Sequence, residues 1–529
     1  MKAKFTIKNY RCFEDTQPLI FDFEDGFTAF VGSNNSGKSS VLKFFYEFRN
    51  VWNLLSDPGI LVSLFNNDSR NIQFIDVYDQ TEVFCNLNER DLNIDIEFLN
   101  KENLSHINGV QVVISRKLVC YTHPKKDGKI ISEAQIKNFK VRNKNFVLTD
   151  DHGIYVADYT SIPDFFKLLS QSMYIGAFRN TINVGKGSYY DIKVGTDFIE
   201  TWHQWKTGSE KKLNNIIKKV SDDIKNIFGY SSLEISAAKE SNTLQIYTNK
   251  NSYKLNELGA GIAQFIIVLG SVAIKQPSYI LIDEPELNLH PSLQLDFLTS
   301  LASYARNGVF FATHSIGLAR SVAERIYSLQ QDEHGKSKIA LFEQTANYTE
   351  FLGELSFSSF KELGFEKILL VEGVHDIKMI QQFLRFLKKD HKIILLPLGG
   401  SQMINGAEVV KYALNEVKRI SNANNIKILI DSERKQEDDP LSGDRAAFCE
   451  VCKELGIEVH VLKRRAIENY LTKEAVQKIK GNKYIALEPY QKLEDTSLAW
   501  AKHENWRIAR EMNLNEIEDT DLGEFLKSL

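Results

Sequence analysis

The chain contains the sequence TAFVGSNNSGKSS at residues 28–40, and this stretch determines how the first half of the protein folds. Its apolar start predicts a buried strand, and its end begins a helical pattern. Between them, Gly32 and Gly37 stand five positions apart and are followed by Lys38 and Ser39. This spacing is typical of a loop that binds phosphate through backbone N–H groups and a helix N-terminus.

The residue types of the loop fit this chemistry. A lysine supplies a point charge to the β- and γ-phosphates of a nucleotide, and a serine hydroxyl ligates Mg²⁺. A surface glycine turn is the alternative, but the flanking strand and helix favour phosphate binding. The residues expected to contact the nucleotide are Gly32, Asn35, Gly37, Lys38, Ser39 and Ser40.

A second motif, YILIDEP at residues 279–285, ends an apolar run in two carboxylates. We expect Asp283 to hold the Mg²⁺ shell and Glu284 to polarise the attacking water as general base. One strand later, His314 stands where it can reach the γ-phosphate. The alternative is an acidic strand end that only caps the next helix, or a purely structural histidine.

Carboxylates also follow two apolar strands in the second half of the chain. Glu372 ends one strand and Asp376 begins the next helix, while Asp431 and Glu433 end another strand. Alternate residues of an extended segment point to one side, so both acids of the second pair are expected to converge with Glu372. Clustered carboxylates need a hard cation, which implies Mg²⁺ or Mn²⁺. Acids that merely cap the following helices remain the alternative.

A third segment, KRRAIENYL at residues 463–471, places basic residues next to Glu468. Such a combination suits a phosphate backbone that approaches a metal centre. Taken alone, the segment is more typical of a charged helix start.

The order of elements predicts an α/β protein with two domains. At 529 residues the chain is too long for one hydrophobic core. Strands alternate with helices from residue 278 and again from residue 367, which favours parallel sheets. We expect one domain at residues 1–350, with a helical segment near 197–228, and a second at 366–529.

The amino-acid composition indicates the cellular compartment in which the protein is expected. The net charge of −4 is uninformative about partners, and the five scattered cysteines do not form a disulfide framework. No apolar signal segment and no membrane-length run are visible. We expect a soluble, cytoplasmic protein with no membrane partner.

The motifs of the first half resemble the ABC-type ATPase heads of the SMC and RecF kind. NYRCF at residues 9–13 resembles an opening in which Arg11 lies near the nucleotide. LGAG at residues 258–261, with Gly261, resembles the loop that caps the γ-phosphate of another head, although Ala260 replaces a common serine. The resemblance implies ATP binding between two copies, hence a homodimer or higher oligomer. Residues 190–230 are the expected dimerisation segment.

The second half resembles the Toprim fold, a Rossmann-like parallel-sheet domain. The motifs VEGVHD at 371–376, DSE at 431–433 and IENYL at 467–471 occur in this order after the ATPase head, as in the OLD family of ATP-dependent endonucleases. DSE has Glu where many Toprim domains have a second Asp.

The resemblance implies an ATP- and Mg²⁺- or Mn²⁺-dependent DNA endonuclease in anti-phage defence. A co-encoded partner, such as a retron reverse transcriptase with its RNA and DNA, is part of that expectation. The implied catalytic residues are Glu284, His314, Glu372, Asp431 and Glu433. The implied metal ligands are Ser39, Asp283, Glu372, Asp376, Asp431, Glu433 and Glu468.

Other functions remain open. The main alternative is an SMC- or RecF-like DNA-binding or repair ATPase whose Toprim half grips DNA without cutting it. A transporter ATPase subunit is disfavoured because the Toprim-like half has no place in one. A topoisomerase or primase is disfavoured because no zinc module is present and no catalytic tyrosine stands out.

Overall fold

The fold is described from a computed structural model of the chain. The structure describes residues 2–99, 107–131, 138–142, 145–149, 155–158, 161–177, 186–238, 242–249, 251–332, 335–342, 367–390, 392–398, 411, 414–415 and 423–529.

The first part of the chain alternates between strands and helices. Up to residue 254 the elements are β1 (Ala3–Lys8), β2 (Leu19–Phe23), β3 (Gly26–Gly32), α1 (Lys38–Glu47), α2 (Arg49–Leu55), α3 (Pro58–Phe65), β4 (Arg70–Asn71), β5 (Leu92–Phe98), β6 (Gly109–Ile114), β7 (Val119–Lys126), β8 (Lys129–Ile130), β9 (Asn138–Arg142), β10 (Asn145–Thr149), β11 (Tyr155–Asp158), α4 (Ser161–Ser170), β12 (Met173–Ile175), β13 (Ser188–Tyr189), β14 (Ile192–Lys193), α5 (Gly195–Thr207), α6 (Lys211–Ile227), β15 (Leu233–Ala238), β16 (Thr243–Thr248) and β17 (Asn251–Lys254).

The rest of the chain continues the alternation. Its elements are α7 (Ala260–Lys275), β18 (Tyr279–Asp283), α8 (Pro291–Tyr304), β19 (Gly308–Thr313), α9 (Ile316–Val322), β20 (Arg325–Gln331), β21 (Ser337–Leu341), β22 (Lys367–Val371), α10 (Val374–Phe386), β23 (Ile393–Pro397), β24 (Ile426–Ile430), α11 (Gly443–Glu454), β25 (Glu458–Val461), α12 (Lys473–Lys480), α13 (Asn505–Arg510) and α14 (Asp521–Ser528).

Two larger sheets organise the first half. An antiparallel N-terminal sheet has the order β2-β1-β5-β6-β7-β4, with β8 paired to β7. A central sheet has the order β12-β18-β19-β3-β20-β21, and all of its pairs are parallel except β20–β21. The carboxyl ends of β3, β18 and β19 therefore lie at one edge of the central sheet.

Alternating side chains explain why the central sheet is buried on both faces. On β3, Phe30 belongs to the core beneath the N-terminal sheet, whereas Phe27, Ala29 and Val31 belong to the core on the opposite face. Successive residues of a strand point to opposite faces, so a strand covered on both faces must be apolar throughout. The apolar run after residue 26 meets this requirement.

A third sheet forms the C-terminal half. Its order is β23-β22-β24-β25, and its strands are parallel. On β22, Leu369 and Val371 face one core, while Ile368 and Leu370 face the other. This doubly covered parallel sheet agrees with the predicted alternation of strands and helices.

The two halves contact each other through α10. Lys378, which is fully buried, forms an ion pair with Glu324 and donates to the carbonyl of Val322 at 3.1 Å. Further along α10, Arg385 forms an ion pair with Asp296 on α8. Buried charged groups at a domain contact must be paired, so these contacts define a specific arrangement of the two halves.

The observed strands and helices follow the alternation predicted from residue 278 and again from residue 367. The helical segment predicted near 197–228 is two helices, α5 and α6, because Gly208 ends α5 in an extended conformation. The predicted domain boundary at 350–366 lies outside the described residues. No helix among the described residues combines the length and apolar character that crossing a membrane requires.

Candidate functional site

The glycine loop between β3 and α1 is shaped by its two glycines. Gly37 has φ +95°, and a Cβ on it would lie 2.9 Å from the sulfur of Cys12. A Cβ on Gly32 would lie 2.2 Å from the carbonyl oxygen of Leu329. The side chain of Lys38 lies along this tight loop, and its Nζ donates to the carbonyls of Gly32 and Ser33 at 2.9 and 2.8 Å.

Asp283 ends β18 beside the loop. Its side chain is buried, and its Oδ1 has no hydrogen-bond partner within the described structure. Burial raises the pKa of this carboxyl, and an interaction with Ser39 opposes the rise. A buried carboxylate oxygen without a donor is costly, and a cation would offset that cost. Asp283 and Ser39 therefore fit the Mg²⁺ that accompanies a nucleotide.

Glu284 and His314 face each other across the strand ends. Glu284 has φ +50°, and its Oε1 lies 3.4 Å from Nε2 of His314. The backbone N–H of Glu284 donates to the carbonyl of Ala312 at 2.8 Å, which fixes the residue to β19. Both side chains line one cleft, at the positions predicted for a general base and a γ-phosphate contact.

Glu286, which the sequence analysis did not select, holds the His314 loop in place. Its Oε1 accepts from the hydroxyl of Thr313 at 2.6 Å and from the backbone N–H of His314 at 3.0 Å. Burial raises the pKa of this carboxyl, and these donors oppose the rise. The only sequence signal was its position two residues after Glu284, on the same acidic segment.

The cleft has a volume of about 610 Å³. It runs from Glu284 and His314, past the glycine loop, to Arg11. Arg11 is held by an ion pair with Glu47 at 2.5 Å. The volume falls in the range of about 300–1,000 Å³ that small-molecule sites have. The other predicted contact residues that line it are Asn35, Gly37, Lys38, Ser39 and Ser40.

The predicted capping loop lies away from this cleft. Gly259 precedes α7, and Ala260 begins it, with both residues exposed. A Cβ on Gly261 would lie 2.9 Å from the carbonyl of Asn288. Among the described residues, none between 258 and 264 lines the nucleotide cleft of its own chain. The loop is therefore available to contact a different copy.

Four carboxylates meet at the carboxyl edge of the C-terminal sheet. Glu372 follows β22, Asp376 lies in the first turn of α10, Asp431 follows β24, and Glu468 lies in a 3₁₀ turn at Ile467–Tyr470. We call these residues the carboxylate cluster. Hydrogen bonds among these acids and the backbone beside Glu372 and Glu468 place them close together.

Hydrogen bonds fix three acids of the cluster in place. Glu372 accepts from the backbone N–H of Asp431 at 3.2 Å, and Asp431 accepts from the N–H of Ile467 at 3.0 Å. Asp376 accepts from the N–H of Gly373 at 2.8 Å. The loops after the strands thus hold the carboxylates together.

The cluster carries unfavourable charge. Burial, followed by repulsion from Glu468 and Glu372, raises the pKa of Asp376 to about 7. Burial also raises the pKa of Asp431, again with repulsion from the other three acids. Crowded carboxylates are stabilised by a cation among them. Oxygen donors with excess negative charge are the set that Mg²⁺ and Mn²⁺ prefer.

Two cations that the sequence analysis missed partly neutralise the cluster. Arg445 on α11 donates to both oxygens of Glu372 at 2.9 and 3.1 Å, and Lys502 lies 2.9 Å from Glu468. Neither belongs to a recognisable motif, because they reach the cluster from distant segments. With these partners in place, no three His, Cys, Asp or Glu side chains of the described residues form a group arranged to hold a metal ion.

Glu433 differs from its predicted position. Strand β24 ends at Ile430, and Glu433 has φ +56°, so the strand alternation that was to place it beside Asp431 does not apply. Its carboxylate forms an ion pair with Arg465 instead. The predicted role of Glu433 as a ligand in the cluster is therefore not supported by its contacts.

The basic residues of the 463–471 segment have structural partners. Arg465 is buried and donates to the carbonyls of Glu433 and Arg434 at 3.0 and 3.1 Å. Arg464 donates to the carbonyl of Asn469 at 2.6 Å, whereas Lys463 is exposed. Only Glu468 of this segment joins the cluster.

The expected dimerisation segment packs within its own chain. Trp202 on α5 is fully buried, and its indole donates to the carbonyl of Ile235 at 3.3 Å. The apolar residues Ile217, Val220 and Ile224 of α6 lie in the same core. The outward face of α6 bears lysines rather than an apolar contact surface.

Comparison with known proteins identifies the first half. A family model described as AAA ATPase domain matches residues 1–162 and 193–319, more than half of the chain. No match was found among curated proteins.

Similar solved structures include three SMC head domains. The head from Thermotoga maritima is 14% identical over 65% of this chain and 100% of its own, with a TM-score of 0.34. An SMC head bound to the C-winged helix domain of ScpA is 14% identical over 65% and 98%, with a TM-score of 0.36. One from Pyrococcus furiosus, bound to the C-terminal domain of ScpA, is 12% identical over 67% and 100%, with a TM-score of 0.33. At these TM-scores the likenesses add nothing to the fold argument.

Proposed function

Because the chain belongs to the AAA ATPase domain family, we propose that it is an ATPase that controls metal-dependent cutting of DNA by its C-terminal half. The observation that carries the nuclease part is the carboxylate cluster at the carboxyl edge of a parallel sheet. Open α/β sheets bind their ligands at this edge. The four acids gathered there repel one another, and burial raises the pKa values of Asp376 and Asp431, which favours a functional role.

The ATPase site works through pre-positioned groups. The glycine loop and Lys38 would bind the phosphates, and Asp283 and Ser39 would hold the Mg²⁺ that accompanies the nucleotide. Glu284 accepts a proton from the attacking water, and His314 contacts the γ-phosphate from the adjacent strand end. Glu286 keeps the His314 loop in the required position.

The nuclease site would be held by the four acids of the cluster. Glu372, Asp376, Asp431 and Glu468 are the residues that would bind Mg²⁺ or Mn²⁺. Such an ion supplies charge stabilisation to a phosphodiester during hydrolysis. Arg445 orients Glu372, and its contact with the carbonyl of Asp431 at 2.7 Å couples the two strand ends. The choice of DNA as the substrate rests on the resemblance of these motifs to the OLD family.

The biological setting follows from the same resemblance. We infer a cytoplasmic role in anti-phage defence, with DNA as target and a co-encoded protein as partner. The ATP site of one copy would be completed by residues 258–264 of another, since this loop does not reach its own cleft. A homodimer is therefore the smallest active unit in this proposal.

A plasmid assay tests the proposal. Supercoiled DNA is incubated with the protein and Mg²⁺ or Mn²⁺, with and without ATP, and the nicked and linear products are quantified. We expect nicking that stops on addition of EDTA. No product under any of these conditions would reject the nuclease function.

One observation favours a second candidate, an ATPase that grips DNA without cutting it. Arg445 and Lys502 already pair with Glu372 and Glu468, and the cluster is not arranged for a metal in this state. In that case calorimetric titration with Mn²⁺ would detect no site that depends on Asp431.

A further inference from the structure

A row of exposed lysines leads from the first half of the chain towards the carboxylate cluster. Its members lie on α6, on α12 and in the turn before α13. The exposed lysines of the row are Lys211, Lys212, Lys218, Lys219, Lys473, Lys478 and Lys502. We call this row the lysine track.

The three parts of the track are fixed side by side by ion pairs. On α13, Arg510 lies 2.6 Å from Asp223 of α6, so these two helices are in contact. Glu511, at the end of α13, lies 3.9 Å from Lys219 of α6 and 2.6 Å from Lys478 of α12. One carboxylate therefore joins the two lysine-bearing helices.

The same pattern continues to the cluster. Glu504, at the start of α13, lies 2.8 Å from Lys480 of α12. Two residues before it, Lys502 lies 2.9 Å from Glu468, and its side chain is 48% exposed. The track thus begins on α6, passes α12, and ends at an acid of the carboxylate cluster.

The inner face of α6 explains why its outer face is available. Ile217, Val220 and Ile224 are buried in the core of the first half. The opposite face keeps Lys218 and Lys219 exposed. Four exposed lysines and one exposed acid, Asp222, give the outer face of α6 a net positive charge, which attracts a polyanion.

We propose that the lysine track binds the phosphate backbone of duplex DNA and guides it to the carboxylate cluster. This inference rests on the proposed function and names the surface by which the substrate is held. Duplex DNA carries about one negative charge per 1.7 Å of its axis. Helix α6 has 17 residues and is thus about 25 Å long, which matches about seven base pairs.

The track binds without reading sequence. Lysine ammonium groups contact phosphates, which are the same at every step of the duplex. The affinity therefore depends steeply on salt and only weakly on base sequence. Four acids lie within the track: Glu504 and Glu511 pair with lysines, and Asp222 on α6 and Glu474 on α12 are exposed.

Fluorescence anisotropy with labelled 30-base-pair duplexes of two unrelated sequences tests the inference. The full-length variants are Lys211→Ala/Lys212→Ala/Lys218→Ala on α6 and Lys473→Ala/Lys478→Ala on α12. The control, Lys4→Ala/Lys117→Ala/Lys129→Ala, removes the same charge as the α6 variant from exposed lysines of the first half. Melting temperatures show whether each variant is folded.

We expect the α6 variant to bind both duplexes at least about tenfold more weakly at physiological salt. The slope of log K against log salt should fall by about 2–3, since each phosphate that the protein no longer neutralises lowers it by about 0.9. The α12 variant should neutralise about two phosphates fewer than the parent, and the control should bind like the parent. If the parent binds DNA and the α6 variant binds equally well, the track is not the DNA surface. If the parent itself does not bind DNA, the proposed nuclease function is rejected as well.

Discussion

At the scale of single residues, the glycine loop, Glu284 and His314 line one cleft, and four acids form the separate carboxylate cluster. The loop residues, Asp283, Glu284 and His314 were identifiable because each follows a strand of the same parallel sheet. In the cluster, Glu372, Asp376 and Asp431 were identifiable for the same reason. Arg445 and Lys502 were not, because ion pairs between distant segments leave no local pattern.

Replacing Glu284 by Gln should separate ATP binding from hydrolysis. The amide keeps the shape of the side chain but cannot accept a proton, so turnover should fall roughly 10²–10⁴-fold. Binding of a fluorescent ATP analogue should remain, whereas Lys38→Ala should weaken it. Hydrolysis at the parent rate by Glu284→Gln would show that another residue is the general base.

Glu433 provides a test of the placement of acids in the C-terminal half. Because its carboxylate contacts Arg465 rather than the cluster, Glu433→Ala should nick plasmid DNA within about threefold of the parent rate. If Glu433→Ala lost nicking as completely as Glu372→Ala does, Glu433 would be assigned to the metal site.

The repulsion within the cluster predicts a stability effect without metal. Burial and neighbouring acids raise the pKa of Asp431, so this carboxyl lowers the stability of the fold at pH values above its ordinary pKa. In EDTA, Asp431→Asn should therefore raise the Tm by about 2–4 °C, which corresponds to a gain on the order of 1 kcal/mol. An unchanged or lower Tm, measured by calorimetry, would show that the repulsion is already relieved.

At the scale of elements, the hydrophobic pattern predicted most strands of the central and C-terminal sheets, since both are covered on two faces. Helices α2 and α3 were not predicted, because their apolar residues are crowded into short segments without a clear period. The separation of α5 from α6 depended on one glycine, Gly208, whose extended conformation the pattern did not reveal.

The stability of the contact between α10 and the first half should depend on the charge of a single side chain, Lys378. Removing the ammonium group by Lys378→Met leaves the carboxylate of Glu324 buried beside His375, whose pKa burial lowers to about 4. Loss of one partner of a buried ion pair costs about 3–5 kcal/mol. Urea denaturation should show this loss, and the double variant with Glu324→Gln should recover much of it. Equal stability of the parent and Lys378→Met would mean that the pair is not buried in solution.

At the scale of the whole molecule, the match to the AAA ATPase domain family accounts for the first half, and the C-terminal parallel sheet accounts for the second. The contact between them, made by α10 with α8 and Glu324, was not predictable, because it joins side chains that are more than fifty residues apart. Such contacts depend on the packed fold and not on any local pattern.

Exposed Gly259 and Ala260, at the start of the 258–264 segment, predict an ATP-dependent assembly. With ATP and the Glu284→Gln substitution, hydrolysis stops and a sandwich of two copies should accumulate. Sedimentation at micromolar concentration should show more dimer with ATP than without it. A Gly261→Trp variant should prevent this increase, because its bulk would meet Asn288 and the facing copy. A monomer under both conditions would contradict the shared ATP site.

The central claim is that one chain contains an ATPase and a separate DNA-cutting site. The most direct measurement compares ATP hydrolysis and plasmid nicking in one preparation of Glu372→Gln/Asp431→Asn. The matched control, Glu437→Gln/Asp438→Asn, neutralises two exposed acids of the same half. We expect the cluster variant to lose nicking by at least about 100-fold while it hydrolyses ATP at the parent rate, and the control to keep both activities. Nicking at the parent rate by the cluster variant would contradict it.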